Sequence, residues 1–478
     1  MIASPVLRLL VAASCLVACG PAHPESTAPA LSHDAPRGVV LVLVDQLRAD
    51  TAAAEMPRVT ALAERGVTFE RMRSTAPWTY PSVLSLFSGL YPQQHGANGT
   101  DRGNQLLTFD PEIELLHETL GEAGFATAGF VTNPFLNTWN SFHEGFDHYE
   151  IDAFINDLGN KRGKHGAGKP SAWTTDMFAD TVNPEVIAHW SQRDVAEHEF
   201  TYVHFIDVHG PWDHAPFEHD YTSSVRWIDD KIAELHEFFS ARYDGDLLFV
   251  LTSDHGQDLG DDESVGRGEQ FRRRKKTMHD FNLRVPLMVL QGAPVPAGVR
   301  VPHAASAVDV LPTLLDWIGV SRAGQPITLP GFSWHPWIET VAAGRTPDTP
   351  TPDRPLYASM SAFKWHTDAL IEGDVKVVRR VLLGGVRVPR RDGADAYDLA
   401  VDPRELQALS GGVGKQQLGA LTRAASPSGI KFEARLQDTS GDTGEQLSAL
   451  GYLGGDDDFV DPDDGANDSP KGGADSDG

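Results

Sequence analysis

GVVLVLVDQLRAD, residues 38–50, runs from an unbroken apolar segment, Val39 to Val44, straight into Asp45. A continuous, valine-rich apolar run of that length predicts a strand buried on both faces, as in a parallel sheet covered by helices. Ligands of such sheets sit beyond the carboxyl ends of the strands, where Asp45 falls. DLLFVLTSDHG, residues 246–256, repeats the arrangement and ends its apolar strand with Asp254 and His255. Either segment alone also reads as a plain turn or helix cap. Together they set two carboxylates and an imidazole at one edge of one sheet, and buried carboxylates need a cation or a hydrogen-bond donor. A divalent metal answers that need best.

APWTYPSVLSLFSGLYP, Ala76 to Pro92, places a hydroxyl, Thr79, at the mouth of a helix. Pro81 suits the first turn, the apolar positions Val83, Leu84, Leu86 and Phe87 carry a helical period, and Gly89 can end it. A helix that starts just after Thr79 points unpaired N–H groups and its positive dipole end at whatever binds there, an anion site with a nucleophile in it. An ordinary N-capping Thr fits the same pattern. EFTYVHFIDVHGPW adds a strand from about Phe200 to Ile206, followed by Asp207, His209, Gly210 and Pro211. His209, past the strand end, can act as a general acid or hold a substrate oxygen, whereas His204, within the strand, reads as a satisfied core histidine. The basic run Arg272, Arg273, Arg274, Lys275 and Lys276, ahead of His279, reads as a solvated patch from which one member can reach the anion.

With LRVPLMVL, VDVLPTLLDWIGV and AYDLAVDPRELQAL, these blocks follow one another over about Val39 to Leu409, and in that order the chain resembles the sulfatase family of the alkaline phosphatase superfamily. The resemblance implies an α/β fold, a large mixed, mostly parallel sheet between helices with a smaller C-terminal subdomain from about residue 300. It implies one divalent cation beside the nucleophile, with Asp45, Asp254 and His255 at metal-ligand positions, Thr79 at the nucleophile and His209 at the active-site histidine. Lys275 falls about where the family often places an anion-binding lysine, and His279 is the competing candidate. The expected activity is metal-dependent hydrolysis of an anionic ester, sulfuric or phosphoric. The alternative is a non-catalytic sugar- or anion-binding protein on the same fold.

The departures from the family pattern bear on the chemistry. Sulfatases carry Cys or Ser at the Thr79 position, oxidised to formylglycine and followed by x-P-S-R; here the block is TYPSV, with Val83 in place of Arg. Oxidising the secondary alcohol of Thr gives a ketone, so Thr79 has to attack directly as an activated hydroxyl. Relatives with Thr here resemble phosphoryl-transfer enzymes, which favours phosphate mono- or diesters. Gln46 replaces the second Asp of the usual pair, and His255 stands where many sulfatases have Asn. An imidazole among the ligands shifts preference from Ca²⁺ towards Mn²⁺ or Zn²⁺, with Mg²⁺ also compatible.

Residues 1–18 read as a lipoprotein signal peptide: Arg8, an apolar stretch from Leu9 to Ala18, then LVAC, which resembles a bacterial lipobox with Cys19 lipidated. Cys15 leaves with the signal, so no disulfide within the mature chain is expected. Residues 19–37 form a tether and 38–410 the catalytic domain; 411–454 are expected to hold a linker and helix, and 455–478 an acidic, disordered tail. Asn156 to Lys169, Pro347 to Arg354 and Gly411 to Gly429 read as loops. Contact with a membrane is expected only through the lipid on Cys19, at a bacterial cell envelope and facing the periplasm or exterior. Of the formal charge of −27, nine Asp and one Lys from Asp456 to Gly478 supply −8, leaving −19 elsewhere. Such acidity argues against nucleic acid as a partner.

Overall fold

The computed structural model describes residues 31–99, 105–137, 140–155, 177–210, 212, 220–260, 278–321, 328–347, 354–362, 365–382, 394–410, 414–425 and 435–438. The expected signal segment with Cys19, most of the expected tether, Lys275 and the rest of the basic run, and the acidic C-terminal stretch lie outside these residues.

The strands of the large sheet are β1 (Gly38–Val44), β2 (Val67–Arg73), β5 (Ala126–Val131), β6 (His148–Glu150), β7 (Glu199–Phe205), β8 (Leu247–Thr252), β9 (Leu287–Leu290) and β10 (Val299–Ser306). They lie in the order β10-β2-β9-β8-β1-β7-β5-β6. β9 alone runs against its neighbours, β2 and β8, and every other pairing is parallel. β1 is therefore an interior strand, and all seven of its residues are buried, as are those of β7 and β8. This is why their sequences are continuous apolar runs rather than alternating ones. Each fully buried Val or Leu there contributes about 1.5–3 kcal/mol of burial.

The helices are α1 (Ala49–Glu55), α2 (Pro57–Ala63), α3 (Thr79–Ser88), α4 (Pro92–His95), α5 (Leu116–Glu122), α6 (Asp152–Ile155), α7 (Ala179–Ser191), α8 (Tyr221–Arg242), α9 (Asp280–Leu283), α10 (Val310–Ile318), α11 (His335–Ala342) and α12 (Lys415–Ala425). All ten residues of α3 are buried, and Gly89 ends it in the left-handed conformation, φ 68°, that glycine adopts without a Cβ clash. α8 begins at Asp220, whose side chain accepts from the Ser223 amide.

A second sheet, the antiparallel meander β11 (Leu356–Ala362), β12 (Trp365–Glu372), β13 (Val375–Leu382) and β14 (Ala394–Asp398), forms the C-terminal unit. Its separation comes later than the expected residue 300, because β10 still pairs with β2 and buries Val299, Val301 and Ala305 in the large sheet. Within the stretch 411–429 expected as a loop, Lys415–Ala425 is helical, and its Leu421 packs with Tyr357, Leu370 and Val377 on the second sheet. A small sheet joins β15 (Arg435–Asp438) to β4 (Gln105–Thr108) and β3 (Asn98–Gly99).

Buried ions fasten the second sheet to the first. Lys376 of β13 donates to Glu405 Oε1 (2.9 Å) and to the Met278 carbonyl, while the same Glu405 oxygen accepts the Asp280 amide. Asp280 in turn takes Arg73 of β2 in a two-point pair, 2.7 and 3.0 Å. That network fixes the Met278–Arg284 loop beside the carboxyl ends of β1 and β8. A Cβ on Gly256 would lie 2.0 Å from the Phe281 carbonyl oxygen, so the close approach of the two loops requires glycine there.

Candidate active site

Asp45 follows β1, and its amide still donates to the Phe205 carbonyl at 2.8 Å, extending the sheet by one step. Asp254 and His255 follow β8, the other neighbour of β1. The three side chains are buried and offer ligand atoms that all lie within 4.8 Å of one another. His255 Nδ1 donates to the Gly256 carbonyl at 2.7 Å, so Nε2 faces Asp45 Oδ1 (3.7 Å) and Asp254 Oδ2 (3.4 Å). Asp254 Oδ1 accepts the amides of Gln46 and His255, at 3.1 and 2.8 Å, but its buried Oδ2 has no hydrogen-bond partner among the described residues. Two carboxylate oxygens and an imidazole nitrogen converging in a buried site repel one another until a positive charge sits between them. This donor set fits a divalent cation.

Thr79 is the first residue of α3, not its cap; the cap position is Trp78, in extended conformation, with no side-chain capping bond. The Thr79 hydroxyl donates instead to Asp45 Oδ2 at 3.2 Å, which removes the plain capping reading. Trp78, Tyr80 and Phe135 pack edge-on and stacked around it, with ring centroids 5.4 to 6.2 Å apart. Behind the helix, Ala97 N–H donates to His95 Nδ1, so His95 Nε2 carries the proton and donates to the Pro81 carbonyl at 3.1 Å. Burial pushes His95 down to about 3.

Asn133 escaped the sequence reading. Asn133, after β5, donates its side-chain amide to Asp45 Oδ2 at 2.7 Å, and its own Oδ1 accepts the Phe135 amide. The signal was present: Ala126–Val131 is another apolar run ending in polar residues at the same sheet edge. Gln46 adopts φ 65°, its carbonyl accepts the Tyr221 hydroxyl at 2.8 Å, and both side-chain amide atoms are buried without partners among the described residues. His204 is buried as expected but not satisfied. Neither ring nitrogen has a hydrogen-bond partner among the described residues, Nε2 lies 3.9 Å from Asp45 Oδ2, and burial lowers its pKa to about 4.

His209 lies past the end of β7, buried, with Nδ1 donating to the Gly210 carbonyl at 2.7 Å. Asp207, two residues earlier, accepts from the Ala179 amide at the start of α7 and from the Trp227 indole, both at 3.0 Å. Its burial raises the carboxyl to about 7. His279 stands ahead of α9 and stacks on Phe281, 4.9 Å between centroids. Lys275 falls outside the described residues.

The family model described as Sulfatase matches residues 37–320, which carry the whole of this sheet edge. The chain belongs to the sulfatase family. Among curated sulfatases, it is similar to the extracellular sulfatase SULF-1 homolog of Drosophila melanogaster, 23% identical over 353 residues that cover 59% of this chain and 30% of the relative. The chain spans less than half the length of the curated relatives it matches. Among solved folds, it resembles the phosphonate monoester hydrolase of Agrobacterium radiobacter, with TM-score 0.58, 19% identity and coverage of 78% of this chain and 91% of that one. It also resembles a protein solved with its substrate D-glucosamine-2-N,6-O-disulfate, with TM-score 0.60, 16% identity and coverage of 82% and 97%. The mixed eight-stranded sheet with a smaller antiparallel sheet after it is the sulfatase fold the sequence led us to expect. In this chain a threonine hydroxyl is directed at the first carboxylate of that edge.

Proposed function

We propose that this sulfatase family member is a metal-dependent hydrolase of anionic esters in which Thr79 is the nucleophile and phosphate mono- or diesters are preferred. The observation that carries the proposal is the 3.2 Å hydrogen bond from the Thr79 hydroxyl to Asp45 Oδ2 at the N-terminus of a buried helix. Asp45, Asp254 and His255 would hold one divalent ion, Mn²⁺ or Zn²⁺ before Mg²⁺ or Ca²⁺, and the buried Gln46 amide oxygen, without a partner among the described residues, would be a candidate further donor. When bound, such an ion neutralises charge on the transferring group and lowers the pKa of a nearby hydroxyl.

The chain's own groups supply the remainder. Asp45 Oδ2 is the hydrogen-bond acceptor that receives the hydroxyl proton as Thr79 Oγ bonds to phosphorus. The amides of the first turn of α3 and its dipole favour the anionic oxygens. His209, with Nδ1 committed to a backbone carbonyl, delivers a proton from Nε2 to the departing alkoxide. Water then attacks the phosphorus of the Thr79 ester, losing its proton to the same imidazole, and Thr79 leaves with a proton restored. Direct attack cannot use the elimination open to a formylglycine hemiacetal, and this favours phosphoryl over sulfuryl esters. Lipid on Cys19 would hold the enzyme at a bacterial envelope, a proposal supported by the LVAC sequence.

Matched aryl phosphate, aryl phosphodiester and aryl sulfate, assayed after chelation and metal add-back, test the proposal. Activity should need the metal, and kcat/KM for a phosphoester should exceed that for the sulfate.

A further inference from the structure

The second sheet carries a relay of side chains that belongs to no part of the metal cluster. Ser361 of β11 and His366 of β12 are directly opposite one another across the antiparallel hairpin. Ser361 Oγ lies 2.8 Å from His366 Nδ1, and His366 Nε2 lies 2.6 Å from Asp368 Oδ1. His366 and Asp368 share a face because alternate residues of a strand do.

The protonation pattern follows from the neighbours of Asp368. The carboxylate is buried, yet Tyr357 O–H donates to Oδ1 at 2.7 Å, and Arg379 donates to Oδ2 through Nε (3.0 Å) and Nη2. Against the upward push of burial, the donors His366, Tyr357 and Arg379 hold the Asp368 carboxyl below its ordinary range. An ionised Asp368 can only accept, so His366 Nε2 carries the ring proton of the neutral imidazole and Nδ1 is left as a base. The Ser361 hydroxyl is therefore the donor in the bond to Nδ1. Both Ser361 and His366 are part-exposed, so a reagent can reach the hydroxyl. Asn98 Oδ1 accepts the Ser361 amide at 2.9 Å and fixes the backbone at that point.

We propose that Ser361 is a second, metal-independent nucleophile, activated by His366 and oriented by Asp368, that takes the acyl group of neutral carboxylic esters. Ser361 Oγ bonds to the carbonyl carbon while its proton passes to His366 Nδ1. The C–O bond to the alcohol then breaks, and that proton leaves with the alcohol. Water, deprotonated by the same nitrogen, releases the carboxylic acid and restores the serine. The order of ring nitrogens is the reverse of the serine protease arrangement, but the roles of nucleophile, base and orienting carboxylate are the same.

The test treats the chelated full-length protein with an alkyl fluorophosphonate and with 4-nitrophenyl acetate, and maps modified peptides by mass spectrometry. Fluorophosphonate attack breaks the P–F bond, releases fluoride and leaves a stable phosphonyl ester on the serine. The expected result is modification of Ser361 ahead of every other serine, and a drop of about 10²-fold in its labelling rate in His366→Gln, the usual scale for a lost general base. Wild-type labelling should also be slowed by saturating 4-nitrophenyl acetate, which competes for the same hydroxyl, a readout that holds even if the variant does not fold. Ser361 left unmodified, or labelled at a rate insensitive to both His366→Gln and 4-nitrophenyl acetate, overturns the proposal.

Discussion

Asn133 Nδ2 donates to Asp45 Oδ2 at 2.7 Å, the same carboxylate oxygen that accepts the Thr79 hydroxyl. With Oδ2 engaged in this way, Oδ1 is the oxygen turned towards His255 Nε2, 3.7 Å away. Asn133 thus helps set which oxygen of the carboxylate meets the Thr79 hydroxyl and which faces His255.

Asn133→Ala should lower metal affinity and kcat/KM each by about 10–100-fold, the usual cost of losing a group that orients a metal ligand. Metal titration alongside steady-state kinetics checks this. Wild-type values for both would remove Asn133 from the site.

Asp45→Ala and Asp254→Ala should each abolish metal binding, since each removes a charged donor from a three-residue cluster. Elemental analysis of the purified variants gives the answer. Stoichiometric metal retained by both would dissolve the proposed cluster.

The positions of Asp45 and Asp254 were legible in the sequence because burial on both faces leaves a continuous apolar run whose following polar residues stand at the sheet edge, and that of Thr79 because a helical pattern begins beside it. Pro81 and Gly89 likewise marked the ends of α3 within a residue or two. Asn133 follows an apolar run of the same kind, but its place at the site depends on β5 reaching the edge beside β7, a non-local pairing. The positive φ of Gln46 was hidden for a similar reason: it is held by Asp254 and Tyr221, both far away in the chain. The helix Lys415–Ala425 fully buries Leu421 alone and leaves Leu418 and three alanines half-buried, so its apolar face is thin. His204 looked like ordinary core, and only the contact with Asp45 distinguishes it.

His117 tests how burial couples stability to pH. It stacks on Phe146 with centroids 3.9 Å apart, and burial lowers its pKa from 6.5 to about 3 despite the Glu144 carbonyl that it bonds. Below about pH 6.5 the unfolded chain takes up a proton that the folded state refuses, so its contribution, complete above that pH, is lost as pH falls towards 3. His117→Phe should therefore gain on wild type by about 1.4 kcal/mol per pH unit below the unfolded pKa, or about 2 kcal/mol near pH 5 relative to neutral pH. Urea unfolding of both proteins at the two pH values measures it; a pH-independent difference would contradict the neutral assignment.

Glu405→Ala should destabilise the fold by about 3–5 kcal/mol, because it leaves the buried Lys376 ammonium without its carboxylate. Lys376→Met combined with Glu405→Leu should recover much of that loss. Thermal unfolding of the single and double variants compares them, and a double variant no better than the single would refute an ion-pair origin.

Cys19→Ser should move the protein from the membrane to a soluble fraction in a bacterial host, as expected when lipid is the anchor. Fractionation with export verified provides the check. Unchanged membrane association would refute the lipid anchor.

The most direct measurement is kcat/KM of metal-loaded Thr79→Val against wild type on matched aryl phosphate and aryl sulfate, with mass spectrometry of the Thr79 peptide before and during turnover. Direct attack by Thr79 predicts an unmodified threonine in the resting enzyme, a covalent adduct on it when turnover is trapped, and a higher kcat/KM for the phosphate. It also predicts that Thr79→Val loses about 10³-fold or more while keeping its metal. Near-wild-type turnover by Thr79→Val would contradict the nucleophile assignment outright.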